Sequence, residues 1–181
     1  LSYMLYGVML MTPQGLTGGL AHMLFHSVIK MSLFLCAGAF MHVTGNEYIY
    51  EVNGAGRWMP WTFAFYTVGA LSLTGIPLFC GFISKWRLIW AGISAMTPVS
   101  IAGNVCLILS AFLCAMYTIN ISVRAFFPMQ GTDNYAYLQG RREAGWRMLV
   151  PIGFFAVLNV LFGLFSGPVL AFLENIATGV M

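Results

Sequence analysis

Residues 1–46 hold one lysine, Lys30, and no arginine, aspartate or glutamate, and residues 58–84 hold no charged side chain at all. Across the chain only 7% of residues are charged, against roughly 25% in an ordinary soluble domain, and this excludes a soluble globular fold. The net charge of +3 is scattered, and no basic run is long enough to make an electrostatic footprint; it points to neither nucleic acid nor an acidic substrate, and no nucleic-acid partner is expected. The cysteines, Cys36, Cys80, Cys106 and Cys114, lie in apolar segments without C-x-x-C spacing. They read as small buried hydrophobes, so neither a disulfide framework nor a zinc site is expected. No signal-peptide pattern is present, and the sequence opens in an already apolar stretch that reads as a cut through a helix of a longer protein.

What is present is apolar: 60% of residues are hydrophobic and the mean hydropathy is +0.84. This is the composition of an integral membrane protein, and 181 residues leave room for four or five crossings of about 20 residues each. The expected fold is all-α, a polytopic transmembrane helical bundle of four complete helices plus one partial. Residues 1–11 make about half a span, ended by the turn signal Thr12-Pro13-Gln14-Gly15. The second helix covers residues 16–43 and stops at Thr44-Gly45-Asn46. Residues 47–57, with Glu47, Glu51 and Arg57, read as a loop outside the core, and Trp58 and Trp61 as interfacial aromatics opening the third crossing. Thr74-Gly75-Ile76-Pro77 interrupts that crossing, because proline removes a donor and clashes with the preceding turn. Apolar character resumes over residues 79–95 around Lys85, Trp86, Arg87 and Trp90. The fourth crossing covers residues 98–127, started by Pro98 and stopped by Pro128, and the fifth runs from Trp146 to about Phe172, with Glu174 just past its end. Residues 1–175 thus form a single bundle and residues 176–181 a tail.

Counting reversals puts loops 44–57 and 128–146 on one side of the membrane, together with Arg57, Arg124, Arg141, Arg142 and Arg147. The bias of basic residues makes that side cytoplasmic.

His22, His26 and Lys30 form H-x-x-x-H-x-x-x-K. Steps of four advance about 40° around a helix, so the three side chains make one stripe about 12 Å tall on a shared face. Lys30 falls near the midpoint of the span, too deep to snorkel out of a hydrocarbon core of about 30 Å, and must meet water, a partner or a polar cavity. Three stacked titratable groups suggest a proton path. The bland readings are helix-packing histidines, or a metal pair at i and i+4; a metal needs a third ligand, and the apolar segments offer no carboxylate apart from Glu174. Lys85 is either an interfacial anchor with Trp86 and Arg87 or a cavity lysine about 12 Å beyond the break at Gly75 and Pro77, where unwound carbonyls are tolerated only inside protein. His42, Arg124 and Glu174 read as interface residues. Asn104, Tyr117, Thr118 and Asn120 either line a wet cavity or cross-link helices.

The stretch G-G-L-A-H-M-L-F-H-S-V-I-K-M-S-L-F-L-C-A-G, residues 18–38, resembles the eleventh helix of the antiporter-like subunits of respiratory complex I, of Mrp-type cation/proton antiporters and of membrane-bound hydrogenases. G-A-L-S-L-T-G-I-P-L-F-C-G-F-I-S-K, residues 69–85, resembles their broken twelfth helix, and nearly the whole chain fits the family's helices ten to fourteen. The resemblance implies a half-channel. Lys30 would be its central proton-carrying lysine, His22 and His26 its connecting groups and Lys85 its exit-side lysine. The family's first inverted repeat is absent from these residues, so they should not form a complete path alone. The function implied is proton translocation within a redox-driven complex (quinone oxidoreductase or hydrogenase type) or a cation/proton antiporter. Other membrane subunits would be its partners, protons its cargo and sodium a further candidate. A bacterial inner membrane is the expected location. No cofactor, metal or redox site is expected in this chain, so any enzyme activity would belong to the complex. Competing readings are a structural membrane anchor without its own ion path and an intramembrane metalloenzyme using His22 and His26.

Overall fold

Thr12 and Pro13 start the longest helix. The Thr12 hydroxyl accepts from the Gly15 N–H at 3.1 Å, and Pro13, which lacks an N–H, occupies the first helical position where none is needed. The helix, α2 (Pro13–Thr44), ends where Gly45 takes the left-handed conformation, φ 73°, and donates to Met41 O at 2.9 Å. Its 32 residues reach about 48 Å, well beyond a hydrocarbon core of about 30 Å.

The computed structural model describes residues 2–128, 131, 133–135 and 142–180 of the chain. The other helices are α1 (Ser2–Met9), α3 (Ala55–Trp58), α4 (Pro60–Thr74), α5 (Cys80–Ala95), α6 (Pro98–Phe126), α7 (Trp146–Leu164) and α8 (Gly167–Val180). The described residues contain no strand, and the all-α bundle expected from composition is what forms. Three helices, α2, α6 and α7, are long and apolar enough to cross a membrane. The third crossing is divided between α4 and α5, with the break at residues 75–79, where the sequence places it.

The bundle is arranged around α2, against which α1, α4, α5, α7 and α8 all pack. Small residues permit the closest approach: Gly7 of α1 lies on Gly15 and Gly19 of α2, and a Cβ on Gly7 would come within 2.6 Å of the Gly15 carbonyl. One core cluster joins Phe25, Ile29 and Leu33 of α2 to Leu73, Cys80, Leu170 and Leu173. Helix α6 packs on α4 and α5 and turns Ile108, Phe112, Leu113 and Met116 outward, as a lipid-facing helix does. Exposed Trp61 and Trp146 mark one end of the bundle and exposed Trp86 and Trp90 the stretch toward the other.

Four details depart from the sequence reading. Residues 47–57 are not a free loop: a 3-10 turn (Ile49–Val52) and α3 fold back onto the bundle, burying Val52 and Ala55. Trp58 is a core residue and not an interfacial one, 8% exposed and stacked on Tyr135 with ring centroids 5.3 Å apart. Cys106 is exposed, unlike buried Cys36 and Cys80, because it falls on the outward face of α6. The fifth crossing stops at Leu164, because Pro168 has no N–H and its ring clashes with the carbonyl four residues earlier. The chain restarts as α8, so Glu174 lies inside a helix, 3.9 Å from Arg87, and helix continues to Val180 through most of the stretch read as a tail.

The two long connections meet at one end. Asn46 Nδ2 donates to Tyr135 Oη at 3.1 Å, and Asn134 N to Asn53 O at 3.1 Å. Pro60 starts α4 without a side-chain cap of its own. Glu143 supplies one from far along the chain: its carboxylate accepts from Trp61 N at 3.1 Å, Thr62 N at 3.0 Å and Thr62 Oγ1 at 2.9 Å. Arg141 lies outside the described residues.

Candidate functional site

Helix α4 ends with four backbone carbonyls that have no partner in the next turn. Gly75, at φ 93°, and Ile76 take two of them: Leu71 O receives Gly75 N at 3.1 Å and Ile76 N at 3.2 Å, and Ser72 O receives Gly75 N at 3.1 Å. Leu73 O and Thr74 O remain. Lys85 reaches back from α5 and donates to them at 2.6 and 2.9 Å. The ammonium therefore sits on the negative end of α4, where the helix dipole and the carbonyls favour positive charge. Lys85 is 7% exposed, so this is a cavity lysine and not an interfacial anchor. The neighbouring Trp86 turns outward, 54% exposed.

Lys85 and the stripe on α2 line one cavity of about 200 Å³, walled by Ser2, Tyr3, His22, His26, Lys30, Leu73, Lys85, Ser110, Cys114 and Tyr117. It has room for several waters, and its polar lining gives them hydrogen-bond partners. His22 is buried, and His26 and Lys30 are half-buried. Their imidazoles stack with centroids 5.3 Å apart and planes 28° apart. His22 Nδ1 is hydrogen-bonded to Ser84 Oγ at 3.0 Å, one residue before Lys85, which ties the stripe to the base of α5. Tyr3 fills the corner between them: its ring meets His22 edge-on at 5.1 Å and lies 5.9 Å below Lys85 Nζ, while its hydroxyl donates to Leu107 O at 3.2 Å. Lys30 Nζ lies 5.8 Å from the Phe34 ring, and no residue described here hydrogen-bonds it.

The geometry brings together all four titratable residues that the sequence singles out. Sequence reasoning missed Tyr3, Ser84, Ser110 and Cys114, since single hydroxyls and thiols in an apolar helix carry no spacing signal. Of the four polar residues left open, Tyr117 lines the cavity. Asn104 cross-links helices, accepting from Tyr6 Oη at 2.9 Å and donating to Ile89 O at 3.1 Å. Thr118 and Asn120 bond within α6, to Cys114 O and Arg124 Nε. Among the described residues no three of His, Cys, Asp and Glu form a group that could hold a metal ion.

The family described as NADH:quinone oxidoreductase/Mrp antiporter, TM, matches residues 1–113. The Na(+)/H(+) antiporter subunit A1 of Staphylococcus haemolyticus is 31% identical over 160 residues, covering 84% of this chain and 20% of that protein. NADH-quinone oxidoreductase subunit N of Desulforudis audaxviator is 29% identical over 177 residues, 93% of this chain and 35% of that protein. The chain thus spans no more than about a third of these curated relatives. The structure of the Mrp complex from a Dietzia species superposes with a TM-score of 0.82 over 97% of this chain and 39% of that one, and at 23% identity it speaks for the fold alone. With well over half of its residues inside the family's match, the chain belongs to the NADH:quinone oxidoreductase/Mrp antiporter transmembrane family.

Proposed function

We propose that this chain is part of a proton-translocating, antiporter-like membrane subunit, and that protons move through its cavity along water, His22, His26, Lys30 and Lys85. The observation that carries the reading is the shared cavity: two imidazoles and two ammonium groups from α2 and α5 open onto one space able to hold water. A Grotthuss chain needs groups that gain and lose protons, joined by waters that reorient, and these are its parts. The relatives named for Na(+)/H(+) antiport and for quinone-linked NADH oxidation support a role inside a larger complex whose other membrane subunits supply the rest of the path. Protons are the proposed cargo, with sodium as a further candidate, and no electron-transfer step is assigned to these residues.

The proposed location is a bacterial inner membrane. Loops 44–57 and 128–146 are placed on the cytoplasmic side, an orientation supported by Arg57, Arg124, Arg142 and Arg147 gathering at that end.

One observation favours a structural reading: the two short bonds from Lys85 to Leu73 O and Thr74 O are also what a fixed helix cap would make. Lys30 discriminates, since none of the described residues accepts such a bond from it. In vesicles carrying the whole complex, Lys30→Ala should abolish coupled proton movement while the amount of assembled complex stays near wild type. A structural role predicts the reverse, with less complex and unchanged transport per complex.

A further inference from the structure

Asn159 on α7 is 0% exposed, in a stretch of helix whose neighbours are apolar. Its amide oxygen accepts two hydrogen bonds from opposite sides of the helix break: from Ser72 Oγ of α4 at 3.1 Å and from Cys80 Sγ of α5 at 3.3 Å. Its Nδ2 donates to Phe155 O at 3.0 Å, so every polar atom of the amide is engaged. Ser72 and Cys80 are likewise 0% exposed and lie 3.6 Å apart. Gly81 presses its bare α-carbon onto the Ser72 carbonyl, where a Cβ would collide.

The position of these tethers matters. Ser72 immediately precedes Leu73 and Thr74, whose carbonyls hold Lys85, and Cys80 opens the helix that carries Lys85. Both sides of the ammonium's cradle therefore hang from one amide oxygen on a third helix. The chemistry fits an amide. It is neutral, takes two donors on one oxygen, and satisfies its own N–H on the backbone. Leucine has a similar volume and would leave Ser72 and Cys80 with only each other, so at least one buried donor would lose its partner.

We infer that Asn159 is a positioning residue for Lys85: by bridging Ser72 and Cys80 it sets the distance between the end of α4 and the start of α5, and so the seat of the ammonium on Leu73 O and Thr74 O. This rests on the proposed role of Lys85 in proton transfer, where displacements of the order of 1 Å are felt strongly in rate.

The test uses the whole complex in vesicles, with transport normalised to assembled complex. Asn159→Leu should lose transport at least about tenfold. A triple variant, Asn159→Leu with Ser72→Ala and Cys80→Ala, leaves no buried donor unpaired. It should assemble normally and still transport poorly. Ser72→Ala alone cuts one tether with Asn159 in place and should show a partial loss, which decides the matter if either larger variant fails to assemble. In 15N-lysine-labelled complex, the Lys85 Nζ resonance, assigned by its absence in Lys85→Ala, should move in all three variants. Wild-type transport with an unmoved Lys85 resonance in the triple variant, or in Ser72→Ala, would overturn the inference. Wild-type transport by Lys85→Ala would instead remove the proposed function, and the resonance would still report whether Asn159 positions Lys85.

Discussion

The ammonium of Lys85 lies 2.6 Å from the carbonyl oxygen of Leu73, across a gap where one helix has stopped and the next has not begun. Proline and glycine open that gap and leave carbonyls without N–H partners, and a charged side chain from the following helix completes them. The break is thus a device for holding a positive charge inside an apolar bundle without a carboxylate beside it. The carbonyl dipoles favour the charge, and the cavity beside it gives water access.

Gly75 is the hinge of this arrangement and should not tolerate a side chain. At φ 93° a non-glycine residue costs about 1–3 kcal/mol, and a new Cβ would stand 3.1 Å from Lys85 Cδ. Gly75→Ala should therefore reduce the amount of assembled complex and, in the complex that does assemble, slow transport by displacing Lys85. Quantitative immunoblotting beside vesicle transport separates the two effects; full transport per complex would show that the cradle is adaptable.

His22 and His26 should matter less than Lys30. Each is one member of a relay in a space that can hold water, and a water molecule can occupy the volume of a deleted imidazole. His22→Ala or His26→Ala should slow transport several-fold without abolishing it, and the double variant should lose far more than the product of the single losses. Equal and complete loss in both single variants would contradict a relay in which water replaces a missing imidazole.

Glu143 should matter for stability and not for transport. Its carboxylate caps the first turn of α4 from a distant part of the chain, and a lost N-cap costs about 1 kcal/mol. Glu143→Ala should lower the melting temperature of the detergent-solubilised complex, with Glu143→Gln falling between it and wild type because an amide keeps one acceptor. Transport per assembled complex should not change in either.

The sequence exposes those features that depend on local chemistry. A histidine-lysine stripe at steps of four, a Gly-x-Pro interruption and proline-started helices each write themselves into consecutive residues, and the structure has the stripe, the break and α2 at those places. Other features depend on residues far apart. The Lys85 cradle needs carbonyls 11 and 12 residues earlier in the chain, and backbone carbonyls leave no trace in residue identity. Asn159 meets Ser72 across 87 residues, so nothing near either of them announces the pair. Trp58 was legible as an aromatic at a helix start, but its burial depends on Tyr135, which stacks on it from the other connection. The restart at Gly167-Pro168 was readable, since proline after glycine is a helix-stop signal, and an otherwise apolar run hid it.

In the proposed path Lys30 carries protons and does not merely supply charge. Lys30→Arg keeps the charge and nearly the length, but a guanidinium holds its proton throughout the physiological range and cannot exchange it. Proton transport should be measured in vesicles containing the assembled complex, with Lys30→Ala beside it. Lys30→Arg should assemble at wild-type levels and transport as poorly as Lys30→Ala. Transport by Lys30→Arg at the wild-type rate would contradict it, and would make Lys30 a fixed charge in the wall of the cavity.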